Sequence, residues 1–305
     1  MNYFGCIVII STICISCKSD KKNQSTEPVL SETNLDNIIE VTAKDFTFTV
    51  EDSIPSGWST FKMKNTGMME HFFFLTKLPD TIVFNDYVTG VGAAFGKSWV
   101  AYKDGEVDKA GAYGILGANL PDWYPNAVSM GGIGLISGGQ TGMTTLKLTP
   151  GNYVMECYIK TENGQFHTEL GMINPITVTE EVTTMEAPEA NAEIVLTNEA
   201  MEVNGALRSG ENRISVKFNE HPEIGLGNDI HLIKVTDSTK MENVTQWMDW
   251  LEIGGLTSPG PATFLGGAHE MPVGYTAYFS CNLEPGTYAL VAETPIGRYQ
   301  LVTVD

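Results

Sequence analysis

The stretch Gly151-Asn-Tyr-Val-Met-Glu-Cys157-Tyr-Ile-Lys-Thr-Glu-Asn-Gly-Gln-Phe-His167-Thr-Glu-Leu-Gly-Met172 decides how the chain is read. Behind a Pro150-Gly151 turn, a strand-like run Tyr153 to Ile159 carries a cysteine. His167 follows ten residues later and Met172 five after that, while far upstream His71 heads the apolar run Phe72-Phe-Phe-Leu75. One thiol, two imidazoles and a thioether are the donor set of a mononuclear copper electron-transfer site. Taken singly, each residue has a simpler use. Cys157 would be a small buried hydrophobe, His71 and His167 half-buried hydrogen-bonded histidines, and Met172 core. Only convergence makes them a site.

With 305 residues, 42% apolar and 18% charged, the chain is long enough for two domains with sizeable cores. The formal charge of −19 argues against nucleic acid, since no basic patch could neutralise phosphates, and against docking on anionic lipid by charge. It leaves room for cationic partners, metal ions and basic redox proteins among them. Phe4 to Ile15 is an apolar run too short to span a bilayer and of the length of a signal-peptide core. It ends Cys14-Ile-Ser-Cys17 before Lys18-Ser-Asp-Lys-Lys22, which resembles a bacterial lipobox and implies a lipid on Cys17. Residues 18–37 are polar and nearly free of aromatics, as in a disordered tether. Of the five cysteines only Cys157 and Cys281 lie beyond this region, so the chain is not a disulfide scaffold.

From Ile38 onward short alternating runs predict strands at Ile39–Ala43, Phe46–Val50, Ser59–Lys64, Phe72–Leu75, Thr144–Leu148, Tyr153–Ile159 and Ile176–Thr179. Turns are expected at 55–57 and 65–67. Residues 79–127, rich in Gly, Ala, Trp and Tyr, read as an insertion with some helix, Val83 to Gly90 being a candidate. Residues 181–191 form an acidic linker, after which strands resume at Glu193.

The second block then repeats the first. Met130-Gly-Gly132, Gly139-Gln-Thr141 and Leu148-Thr-Pro-Gly-Asn-Tyr153 match Leu265-Gly-Gly267, Gly274-Tyr-Thr276 and Leu283-Glu-Pro-Gly-Thr-Tyr288, all at a spacing of 135. His71-Phe-Phe-Phe-Leu-Thr-Lys77 matches His231-Leu-Ile-Lys-Val-Thr-Asp237 at a spacing of 160. This is an internal duplication of one β-rich unit, with extra length in the first copy between His71 and Gly131. In the second copy Val244, Trp247, Met248 and Leu251 share one face of a short helix, best read as core packing. The position of Cys157 is Ala292, and residues 293–301 hold no His or Met. His221 and His269 have no sequence partners and read as surface residues.

These features resemble the cupredoxins, the plastocyanin- and azurin-like sandwiches. Asn65-Thr-Gly-Met-Met-Glu-His71 resembles the turn that delivers that family's first histidine ligand. Pro150-Gly-Asn-Tyr-Val-Met-Glu-Cys157 resembles the strand leading to its thiolate. His167 and Met172 resemble its second imidazole and axial thioether. The resemblance implies an all-β architecture of two tandem Greek-key cupredoxin-like β-sandwiches, each with a short helix or loop insertion. The expected layout is a lipoprotein-type signal at 1–17, a tether at 18–37, domain 1 at 38–180, a linker at 181–191 and a degenerate domain 2 at 192–305. It further implies one copper ion held in domain 1 by His71, Cys157, His167 and Met172. The nine residues between Cys157 and His167 are expected to double back through a tight turn at Asn163-Gly164.

The function expected is a bacterial cell-envelope lipoprotein for electron transfer or copper handling, its membrane contact made through Cys17. The alternative is a metal-free, surface-anchored interaction module. An enzyme is not expected: no nucleophile–base motif, Walker loop or His-Glu-x-x-His is present, nor the His-x-His pairs of a multicopper oxidase.

Overall fold

The computed structural model describes Met1 and residues 37–305 apart from Ile224. Cys17, the rest of the expected signal segment and the tether up to residue 36 lie outside the described residues.

The first half of the chain supplies strands β1 (Ile38–Lys44), β2 (Thr47–Thr49), β3 (Ser53–Asn65), β4 (His71–Lys77), β5 (Val128–Ile136), β6 (Thr141–Leu148), β7 (Gly151–Glu156) and β8 (Ile173–Val182). The second supplies β9 (Ala192–Leu196), β10 (Met201–Gly205), β11 (Gly210–Phe218), β12 (Ile230–Val235), β13 (Thr263–Ala268), β14 (Thr276–Leu283), β15 (Gly286–Val291) and β16 (Tyr299–Val304). They form two layers, and each layer runs through both halves. One reads β2-β1-β3-β6-β14-β11-β9-β10, the other β8-β7-β4-β5-β13-β12-β15-β16. Buried apolar side chains fill the space between them, so the molecule is an all-β sandwich.

The strand registers repeat. Gly57 faces Leu148 as Gly210 faces Leu283, and Tyr153 faces Ile176 as Tyr288 faces Val302. In both copies the Pro-Gly-x-Tyr turn is closed by its tyrosine: the Tyr153 hydroxyl donates to the Thr149 carbonyl and that of Tyr288 to the Glu284 carbonyl. Where the halves meet, one rung in each layer pairs a residue with its own duplicate. Thr144 pairs with Phe279 and Ile133 with Ala268, both 135 residues apart. Like strands meeting antiparallel at matching residues is the self-complementary pattern of a two-fold dimer, written here into one chain.

Two features depart from expectation for local reasons. The turn expected at 55–57 lies inside β3. Ser53 to Ser56 pair with β8, the register shifts after Pro55, and from Gly57 (φ 96°) the strand pairs with β6 in the other layer. Pro and Gly thus mark a strand that changes sheets. Strand β5, Val-Ser-Met-Gly-Gly-Ile-Gly-Leu-Ile, carries too many glycines to be read as a strand. They are required by close backbone approach: a Cβ on Gly132 would lie 2.0 Å from the Phe73 carbonyl oxygen.

The insertion at 78–127 is more helical than expected. It holds α1 (Phe84–Tyr87), a π-turn (Val88–Gly92), α2 (Ala93–Lys103) and α3 (Lys109–Asn119, capped by Asp108). In the second half α4 (Met241–Trp247) is shorter than expected, yet Val244, Trp247, Met248 and Leu251 are all buried together.

Candidate metal centre

His71 opens β4 behind a turn closed by Asn65. The Asn65 amide donates to the carbonyls of Met69 (2.7 Å) and Ile136 (2.9 Å), and its oxygen accepts from the Gly67 N–H. This Asx-type turn fixes the direction in which residue 71 enters the sheet.

Cys157 follows the last residue of β7. The chain then doubles back as expected. Lys160 bridges Phe166, the Gly164 N–H donates to Thr161, and Gly164 takes a left-handed φ of 76°. The His167 N–H donates to the Ile159 carbonyl, the Met172 N–H to the His167 carbonyl, and the Cys157 N–H to the Met172 carbonyl. The backbones of three expected ligands are therefore tied within one loop.

The side chains of His71, Cys157 and His167 meet. The Cys157 Sγ lies 3.9 Å from His71 Nδ1 and 3.8 Å from His167 Nδ1, and the two rings are 5.0 Å apart. All three residues are fully buried, as is Met172. A first-row metal with bonds of about 2.3 Å to sulfur and 2.0–2.1 Å to nitrogen, near 120° apart, separates those donors by about 3.8 Å. The spacing present is thus the spacing a trigonal ion requires. Hydrogen bonding does not account for it as well, because one thiol proton can serve only one of two imidazoles. Both Nε2 atoms also lack protein partners. Thiol, imidazoles and thioether match copper in hardness, so the residues fit the group the sequence implied.

Burial dominates the electrostatics. It pushes the Cys157 thiol up to about 12 and holds His71 down at about 4 and His167 at about 3. With no cation the cluster is neutral: a thiol between two uncharged imidazoles. Phe46 packs edge-on against His167 with ring centres 5.1 Å apart.

Both ligand-bearing segments are braced by the second half. Glu70, next to His71, accepts from the Ser258 hydroxyl (2.6 Å) and the Gly260 N–H (2.9 Å). Lys160, three residues past Cys157, is fully buried and donates through Nζ to the carbonyls of Trp250 and Glu252 at 2.6 and 2.7 Å. Its backbone pairs with Leu256 and Ser258. Trp99 of α2 holds the loop tip, donating to the Gly164 carbonyl (2.6 Å), and its ring lies 3.8 Å from the Lys160 ammonium. Sequence reasoning missed these braces, because their partners lie some 65 to 190 positions away.

The second half differs from expectation at the matching strand. Leu75 faces Met155 as Leu232 faces Leu290, which sets the spacing between β4 and β12 at 157, not 160. The rung of His71 is therefore Asn228, and His231 stands where Phe74 does. Gapless matching of two apolar runs led by histidine slipped by three residues. Asp229, His231 and Glu293 form the second group of donors within 4.8 Å of one another among the described residues. His231 is committed elsewhere: Nδ1 accepts from the Leu135 N–H and Nε2 donates to Asp229 (3.1 Å). An Nδ1 that accepts leaves the proton on Nε2, so no lone pair is free for an ion. His269 is buried rather than on the surface, and His221 is half-buried, bonded to Met271 and Asn228. Cys281 is a free thiol on β14, partly buried, and Cys157 is unpaired as well.

No family model and no curated protein matches the chain. Among solved structures it is similar to auracyanin from Roseiflexus castenholzii, at 19% identity over 47% of this chain and 97% of that one, TM-score 0.29. It is also similar to auracyanin A, a blue copper protein of Chloroflexus aurantiacus, at 17% identity over 47% and 98%, TM-score 0.28. A multicopper oxidase is similar over 88% of both chains, at 15% identity and TM-score 0.22. The case for the site rests on its own geometry.

Proposed function

We propose that the first half binds one copper ion through His71, Cys157 and His167, with Met172 as a fourth donor, for electron transfer or copper handling. The observation that carries this reading is the convergence of the three donor atoms at the spacing of a trigonal ion. Bound there, copper supplies one-electron exchange. The chain's own residues set the conditions: the Asn65 turn aims His71, and the Cys157–Met172 loop presents the remaining donors. The sandwich keeps water out, and the braces from residues 250–260 hold both segments still.

The second half is a copy without a centre that serves as scaffold. The protein acts as a carrier or store of charge or copper, not as an enzyme. A lipid on Cys17 would hold it in the cell envelope on the 18–37 tether, and the acidic surface would favour a basic partner protein. Addition of Cu(II) to the purified protein tests the centre. One equivalent bound, with an intense visible thiolate-to-copper band, is expected; colourless protein without stoichiometric copper would point to the metal-free interaction module. Palmitate labelling that persists in C17A would contradict the anchor.

A further inference from the structure

The residues flanking the metal ligands turn away from the centre, onto a second feature. Strand alternation sends neighbours to opposite faces. Glu156 and Tyr158, on either side of Cys157, and Phe166 and Thr168, on either side of His167, all line one small pocket of about 70 Å³. The pocket stands back to back with the metal centre. Its roof is the first-half insertion: Tyr87 of α1, Val91 and Gly92 of the π-turn, and Phe95 of α2. Single π-turns within helices are often found at functional sites. The extra length that separates the first copy from the second is thus spent partly on covering this pocket.

The lining has a consistent chemistry. Aromatic rings dominate, Tyr124 and Trp250 joining those already named, and two carboxylates complete it. Glu156 sits deep and accepts from the hydroxyls of Tyr87 and, at 3.5 Å, Thr168. Glu169 is exposed. Among the described residues that line the pocket there is no Lys, Arg or His to balance them. Aromatic faces carry negative potential and bind cations, with a cage of rings as the usual receptor for an organic ammonium. A carboxylate inside such a cage completes an ammonium site.

We propose that this pocket binds a small organic ammonium ion, its charge on Glu156 and its apolar body among the aromatic rings. The proposal is independent of copper, and it is tested on the full, metal-free protein by calorimetry. Phenethylammonium is the probe, and neutral 2-phenylethanol is the control of equal shape. The expected result is one molecule of amine bound, at least about tenfold tighter than the alcohol. Gly92 has nothing within 4 Å of where a Cβ would stand and has helical φ and ψ, so G92L fits the fold while filling the pocket. G92L should abolish amine binding with the circular dichroism unchanged, and E156Q should remove the preference for amine over alcohol. Equal affinity for both probes, no binding of either, or amine binding that survives G92L would overturn the proposal.

Discussion

On matching rungs of the two halves, the first carries His71 and Cys157 and the second carries Asn228 and Ala292. Both pairs are buried. Behind Cys157 lie the residues through Met172 before the next strand; behind Ala292 the next strand begins at Tyr299. The two ladders are otherwise the same, down to the tyrosine that closes each Pro-Gly turn. The sandwich therefore folds without a thiol or imidazoles at this place. What the second half keeps is packing: the Asn228 amide donates to the Glu220 carbonyl (2.6 Å), and Ala292 fills a small buried space. What the first half adds is a loop, held at its tip by Trp99 and otherwise by braces from the second half. One copy carries the candidate site and the other supports it.

The largest effect that would break this comparison is loss of metal. Cys157→Ser should bind no stoichiometric copper, read by metal analysis after dialysis. The reverse graft, N228H with A292C, should add no second ion, because residues 293–298 offer no second imidazole or thioether. Two ions per graft protein would show that the loop is dispensable.

The support role predicts a smaller effect. Ser258→Ala removes the 2.6 Å hydroxyl donor of buried Glu70, beside His71. Copper affinity should fall about tenfold, as for other groups that orient a ligand. Stability should fall by about 1–3 kcal/mol in denaturant unfolding. Unchanged copper affinity would separate the two halves functionally.

His231→Phe installs the first half's residue on the matching rung. It leaves the Leu135 N–H and the Oδ2 of Asp229 without their histidine partner and should cost about 1–3 kcal/mol of stability. Copper stoichiometry should stay at one, measured on the same preparation.

The smallest effect is a slope in pH. Burial holds the Lys160 ammonium down at about 7, below its ordinary 10.5. Above pH 7 the unfolded chain therefore binds more protons at this residue than the folded one, and its contribution to stability rises with pH. Between pH 7 and 9 the slope is at most about 1.4 kcal/mol per unit. Urea unfolding at several pH values should show a rise that is absent in K160M.

Much of the candidate centre was legible in the sequence because cysteine, histidine and methionine are rare residue types, set here near turns with their own signatures. Asn65, Pro150-Gly151 and Asn163-Gly164 each act within a few residues, and all three behave as read. What was hidden depends on distant backbone. The glycines of β5 look like loop until the carbonyl of Phe73 is placed beside them. Pro55 and Gly57 look like a turn until β8 and β6 compete for the same strand. His231 matches His71 as a letter, and only the ladder shows that it stands on the rung of Phe74. The pairing of Thr144 with Phe279 follows from duplication plus symmetry, which a linear reading treats as two domains in series.

X-ray absorption at the copper edge of the loaded protein tests the central claim most directly. One sulfur near 2.3 Å and two nitrogens near 2.0–2.1 Å are expected, the first being Cys157 and the others His71 and His167. A shell of nitrogen and oxygen alone, identical in wild type and C157S, would contradict it.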